Sequence, residues 1–355
     1  MKTLLILIPF TFFAQVTFAA STIKPEMQED SLKSVTHCVG RFLVDLPETA
    51  RYTGGRFSHA YTEIEVEPKT LDAFHKEVIH AEREMEGLKH GDSSPLLVDV
   101  LRPTDDSSVL AHWKHETSIQ AIVDGYRWLN GKRYRFRRVV TGRKIQEGTR
   151  WMTDFITRVR PLDGTIPTAR GFCIPGAIIL DDENAYPESA VFYFEFDDKR
   201  DITLDINTDV NEGAPPESLL SRKPGVFSAL GILGAVFGGL RTISEGDRNI
   251  GNMAGQQWLI TAPNDRGHRG HLFTWETPGA KQEILLPQVR IDLESAKYGQ
   301  GVEPGPASLN DKEMLKLWDR ILDTFRLRPA DKSSNASSDT GPSSSSPSSA
   351  RPLPL

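Results

Sequence analysis

The 355-residue chain repeats itself in outline, and that repetition limits its fold more tightly than any other feature. A cysteine sits inside an apolar run twice, in "HCVGRFLVDLP" (37–47) and in "GFCIPGAIIL" (171–180). After each run come strand-like segments and strands bearing tryptophans. A tryptophan-bearing helical stretch then ends in Arg-x-Arg-Pro, at 158–161 and at 326–329. Strands adjoin strands in this order instead of alternating with helices, which predicts antiparallel sheets. The expected fold class is α+β, with two tandem related domains at residues 20–165 and 166–330. Each is expected to be a mainly antiparallel sheet with packed helices, and the two to be joined near "LDGTIP" (162–167).

Local patterns fill in this plan. In "SHAYTEIEVE" (58–67), Tyr61, Glu63 and Glu65 share one strand face and Thr62, Ile64 and Val66 the other. Leu71, Phe74, Val78, Ala81, Met85 and Leu88 recur at steps of three and four, which predicts a helix capped by Thr70. Asn130-Gly131 marks a hairpin turn, because that dipeptide readily takes positive φ. Trp151, Met152, Phe155, Ile156 and Val159 line a closing helix. In the second half a hairpin is expected over 190–208, a short helix near Pro216–Ser221, and strands at 255–261 and 270–277. The last helix carries Met314, Leu315, Trp318, Ile321, Leu322 and Phe325, with Asn310 and Glu313 at capping-box spacing.

The ends have other jobs. Residues 1–19 hold Lys2, a long apolar run and small residues before the expected cut after Ala19, so they read as an export signal and the mature protein as periplasmic. Residues 331–355 contain ten serines and four prolines, a composition that cannot bury a core and predicts a disordered tail. No later stretch reaches the length of a membrane span; the nearest, Gly225–Leu240, has 16 uncharged residues with five glycines, so no stable membrane insertion is expected. In an oxidising compartment Cys38 and Cys173 are candidates for one disulfide; two separate buried thiols are the alternative.

Chemistry is sparse. The sequence lacks HExxH, GxSxG, a P-loop and a dinucleotide-binding glycine motif, so neither a cofactor nor a catalytic residue is expected. His112 with His115 and His268 with His271 have the i, i+3 spacing of metal ligands, but they lie in or beside strands, where residues three apart face opposite ways, and no metal is expected. Ser58 beside His59 fails as a nucleophile and base for the same reason.

Charge says more. Residues 20–165 balance at 22 basic and 22 acidic, whereas 166–330 carry 17 basic against 24 acidic. Eleven of those acids fall between 181 and 212, which makes Asp181, Asp182, Glu183, Asp197 and Asp198 candidate partner contacts. Arg133, Arg135 and Arg137 share a strand face opposite Tyr134 and Phe136, which predicts a solvated basic face over an aromatic core face. A nucleic-acid platform wants its aromatics beside its bases, so nucleic acid is not an expected partner.

The motifs "HCVGRFLVDLPE", "GFCIPGA", "IGNMAGQQWLI" (250–260), "FTWETPG" and "PQVRIDL" together resemble the immunity proteins of bacterial type VI secretion phospholipase effectors, over most of residues 36–328. The resemblance implies two related domains that hold a secreted lipase like a claw and protect the producing cell, with no enzymatic activity of their own. Where that family reads Gly-Glu-Glu-Trp, this chain has Gly255-Gln256-Gln257-Trp258, so Gln256 and Gln257 join the candidate contacts. The rival readings are an exported hydrolytic enzyme and an envelope scaffold.

Overall fold

The computed structural model describes residues 33–329 except 93, 183, 211, 223–238, 265 and 298–304. The expected export signal, the serine-rich tail, Glu183 and most of the glycine-rich segment lie outside the described residues.

The first half runs β1 (Ser34–Val39), β2 (Phe42–Pro47), β3 (Ala50–His59), β4 (Thr62–Pro68), α1 (Leu71–Gly87), the short β5 (Lys89–His90) and β6 (Ser94–Pro95), β7 (Leu97–Thr104), β8 (Ser107–Trp113), β9 (Gln120–Leu129), β10 (Lys132–Thr141), α2 (Ile145–Thr157) and β11 (Val159–Pro161). The second half runs β12 (Gly171–Ile174), β13 (Ala177–Leu180), β14 (Glu188–Phe196), β15 (Lys199–Asp209), β16 (Arg241–Asp247), β17 (Gln256–Pro263), β18 (Arg269–Thr277), β19 (Gln288–Glu294), α3 (Asp311–Thr324) and β20 (Arg326–Leu327). Each cysteine-bearing run, expected as one strand, is a tight hairpin. Gly40 (φ 59°) and Gly176 (φ 82°) take the left-handed conformation that lets the chain double back. The short helix expected near Pro216–Ser221 is a series of turns.

One antiparallel sheet spans both halves, in the order β16-β17-β18-β19-β15-β14-β3-β4-β10-β9-β8-β7. The expected pair of separate sheets is therefore corrected: β3 and β14 pair along their length, from His59 opposite Glu188 to Ala50 opposite Phe196, and fuse the two. Outward from that seam the plan is identical on both sides, a hairpin followed by a four-strand meander that starts at the outer edge and returns.

Helices cover the first half on both faces. Thr70 caps α1 by accepting from the Ala73 amide, and Phe74 and Val78 pack on Leu110 and Tyr126. On the opposite face α2 seats Met152 and Ile156 against Gly125, where a Cβ would lie 2.6 Å from the Met152 sulfur. In the second half α3 begins with the expected capping box of Asn310 and Glu313 and buries Trp318 against Phe273.

The cysteine hairpins cross over. β1–β2 is completed by β20, the strand that follows α3, with Phe42 and Leu43 opposite Leu327 and Arg326. Phe42 stacks on Phe325 at 4.8 Å, and the Asp45 amide donates to the Thr324 hydroxyl. Conversely β12–β13 is completed by β11, the strand that follows α2, and the Tyr134 hydroxyl donates to the Pro175 carbonyl. Each half thus lends its opening hairpin to the closing strand of the other. The two hairpins meet at the Cys38–Cys173 disulfide, with Cα atoms 5.9 Å apart, beside reciprocal backbone bonds between Gly40 and Cys173.

Candidate partner-binding site

The shared sheet is not continuous across its centre. β3 pairs with β4 through only Phe57–Ile64, Ser58–Glu63 and His59–Thr62. Below those pairs the strands part: residues 50–56 of β3 stay with β14, and 65–68 of β4 stay with β10. Among the described residues no strand fills the gap between these facing edges. A groove of about 930 Å³ lies there, lined by Tyr52 to Ser58, by Glu63 to Pro68 and by Lys132, Pro175 and Val191. A second pocket of about 230 Å³ adjoins it through Tyr52, Lys132 and Pro175 and reaches His37, Ile166 and Phe192.

Local sequence opens this fork. Gly55 has no room for a side chain, since a Cβ would sit 2.2 Å from the Val191 carbonyl oxygen, and the β3–β14 register slips at Tyr193/Phe194. At the apex Ala60 (φ 52°) and Tyr61 (φ 60°) both adopt the left-handed region without being glycine, a cost borne where the surroundings fix the turn. Ala60 donates its amide to Pro187, and Arg138 bonds the Ala60 carbonyl. The signal in sequence was Gly54-Gly55 inside a strand, which marks a bulge or a close backbone approach.

At the apex end of β3, where His59 pairs with Glu188 and Thr62, lies a buried charge knot. The Arg41 guanidinium donates to Glu188 at 2.6 and 2.7 Å and to Asp181 at 2.8 and 3.0 Å, and His59 Nε2 is 3.2 Å from Glu188. Burial works against the Arg41 charge, but hydrogen bonds and charge from Glu188 and Asp181 outweigh it and hold the group above its usual range. Arg328, pushed down by burial and by the Arg41 charge, is spent on the carbonyls of Pro167, Ala169 and Gly171.

The residues singled out from sequence fall in three places. Asp181 is committed to Arg41, and Asp182 pairs with Arg158 at 3.1 Å, so both lie at the crossed hairpins. Asp197 and Asp198 stand at the β14–β15 turn, where Asp197 accepts from Arg51 and Asp198 pairs with Lys199. Gln256 and Gln257 open β17: Gln256 accepts from the Leu220 amide and donates to Asp247, while the Gln257 oxygen accepts from Arg248 and Trp318. The structure does not gather these three groups. The basic face of β10 is also not the solvated face expected, because Arg133 is buried against Glu65 and Glu67, and Arg135 and Arg137 both donate to the buried Asp124.

One arrangement has the residue types of a hydrolase. His271 Nδ1 lies 2.7 Å from the Ser295 hydroxyl and Nε2 lies 3.0 Å from Asp311. Ser295 and His271 are buried, however, and the hydroxyl already accepts the His271 backbone N–H at 3.0 Å. The trio ties β18 to the start of α3. His112 contacts Asp124 and the Trp113 carbonyl, and among the described residues no three His, Cys, Asp or Glu side chains could hold a metal.

Comparison with known proteins adds the following. Residues 35–150 match the family described as Tle cognate immunity protein 4, N-terminal domain, and residues 165–330 match its C-terminal domain. Similar solved structures include the apo immunity protein TplEi of a type VI secretion system from Pseudomonas aeruginosa, at 26% identity and a TM-score of 0.72, covering 85% of this chain and 99% of that one. The Tle4–Tli4 complex contains a chain 27% identical with a TM-score of 0.71, covering 84% and 98%. TplEi complexed with an "L" peptide is 25% identical with a TM-score of 0.66, covering 84% and 99%. No curated protein matches the chain.

Proposed function

The chain belongs to the Tle cognate immunity protein 4 family, and from that premise we propose that it binds a type VI secreted phospholipase effector and blocks it sterically, protecting the cell that makes both. The observation that carries this reading is the match of both family domains, in order, over the same two halves that share one strand plan. One relative is known in a Tle4–Tli4 complex and another with a bound peptide, which supports binding of a protein partner. A clasp of this kind needs no titrating group; it works by occluding substrate or holding a lid.

Residues 1–19 serve export in this reading, and the disulfide suits an oxidising compartment such as the periplasm. Among the described residues no helix is long and apolar enough to cross a membrane. Of the acids, Asp197 and Asp198 at the β14–β15 turn remain candidates for contact with the effector, together with Asp181, Asp182, Glu183, Gln256 and Gln257.

Mixing the mature protein with its cognate Tle4-type phospholipase should abolish lipase activity near an equimolar ratio. Full residual activity at excess would overturn the reading. Replacing Ser295 or His271 should leave inhibition intact.

A further inference from the structure

We propose that the fork between β3 and β4 receives an extended segment of the effector as an added β-strand, completing the sheet at its centre. This rests on the immunity reading and names the mode of contact. A strand paired on one side presents its remaining N–H and C=O groups to the other, and such an edge is a template for a further strand. Here two edges face one groove, residues 51–56 of β3 and 65–67 of β4, and the fork is anchored at its apex by the three β3–β4 pairs. Six residues of β3 offer an edge of roughly 20 Å at about 3.3 Å per residue.

Side chains specify the occupant. Phe57 and Ile64 pair on the buried face, so Tyr52 and Val66 continue that face into the fork, where both are only partly covered by the core. An inserted strand would set one row of side chains on Tyr52, Val66 and Pro175, with space for an apolar residue in the adjoining pocket of about 230 Å³. Its other row would lie over the outer face, beside exposed Glu63, Glu65 and Glu67 on one edge and exposed Arg56 on the other. Glu65 and Glu67 are engaged by Arg133, which leaves Glu63 to attract a base. The occupant is therefore an effector strand of alternating apolar and polar residues with a basic side chain level with Glu63.

Hydrogen–deuterium exchange on the unmodified protein tests this, with and without its cognate Tle4-type phospholipase. The expected result is at least tenfold slower exchange in peptides spanning 51–56 and 64–68 on complex formation. Inhibition with no slowing there would overturn strand insertion while leaving the immunity reading standing; failure to form a complex would overturn both. Slow exchange already present in the free protein, and relieved by dilution or by removing residues 330–355, would also overturn it, since a second copy or the chain's own tail would then hold the fork. As a second readout, Val66→Arg is expected to weaken effector binding at least tenfold while circular dichroism and a single cooperative melt show that the variant is folded. Equal affinity in that variant would count against the proposal.

Discussion

The outer faces of the two half-sheets obey the same topology and opposite electrostatics. In the first half Glu63, Glu65 and Glu67 stand directly opposite Arg137, Arg135 and Arg133 across the β4–β10 pairing. At the corresponding β15–β19 pairing, Thr203, Asp205 and Asn207 face Glu294, Asp292 and Arg290, so an aspartate is set against an aspartate. Opposite charges across a pair stabilise a sheet and like charges destabilise it. The first half engages Glu65 and Glu67 with Arg133, whereas the second sets Asp205 directly against Asp292. The net charge of the second half, 17 bases against 24 acids, follows the same division.

The two halves are joined most firmly where their opening hairpins cross. Cys38→Ser with Cys173→Ser removes the link between the crossed hairpins, across a sequence separation of 135 residues. Loop-closure entropy over such a span gives a loss of about 3–5 kcal/mol. Because each hairpin is completed by the other half, both halves are expected to melt in one transition before and after the change. Calorimetry of the wild type and the double mutant checks this; two separated transitions would show that the halves are independent.

The next contrast lies in the closing helices. Trp318 is fully buried against Phe273, whereas Trp151 is half-buried, stacked on Phe155 and covered by the Arg138 guanidinium 4.2 Å from its ring. Trp318→Ala should cost about 4 kcal/mol through the cavity it leaves. Trp151→Ala should cost about 1 kcal/mol, the scale of a partly exposed cation–π contact. Urea unfolding of both variants measures the difference, and equal losses would contradict the assignment.

These tryptophans also show what could be read from sequence. The order of elements was legible, because period-two and period-three-four patterns, the Asn130-Gly131 turn and the Asn310–Glu313 cap are local chemistry. Residue equivalence was not. The buried row of α2 and its exit is Met152, Phe155, Ile156 and Val159, and the same spacing in α3 is Trp318, Ile321, Leu322 and Phe325, so Trp318 corresponds to Met152 and not to Trp151. Gly125 beneath Met152 and Phe273 beneath Trp318 complete the exchange of volume between helix and sheet. The fork and the crossed hairpins depend on which distant strand supplies the pairing, and no local pattern carries that. Only Gly54-Gly55 and Gly40 hinted at them.

A smaller effect distinguishes the two polar networks. Asp124, nearly inaccessible, accepts from Arg135 and Arg137 and contacts His112. Asp124→Ala strands those cations on the face beneath α1, and because both arginines keep some contact with solvent the loss should be about 2–3 kcal/mol rather than the larger cost of a fully buried pair. Lys297→Ala, at an exposed ion pair with Glu294 in the second half, should change stability by less than about 1 kcal/mol. Chemical denaturation of the two variants at neutral pH compares them.

The smallest effect is one of sign. The hydrogen bond from Arg133 holds Glu67 in the first half below the usual carboxylate range. In the second half burial, reinforced by Asp292 and Glu294 against the pull of Lys297 and Arg290, pushes Asp205 up to about 6. An unfolded aspartate titrates near 4, so between about pH 4 and 6 the native state holds a proton at Asp205 that the unfolded chain has released. That contribution to stability is fully present below about pH 4 and is lost as pH rises through 6. Glu67 runs the other way, its contribution being present above the unfolded carboxylate value and lost as pH falls. Asp205→Asn removes the first dependence alone. The variant should be more stable than wild type by about 1 kcal/mol at pH 7.5, a figure reduced for the residual solvent contact of the side chain, and the advantage should vanish at pH 4. If bound effector places a base beside Asp205, the wild-type deficit at pH 7.5 should also disappear in the complex, whereas a deficit unchanged by binding would mean that the acidic surplus faces water in both states.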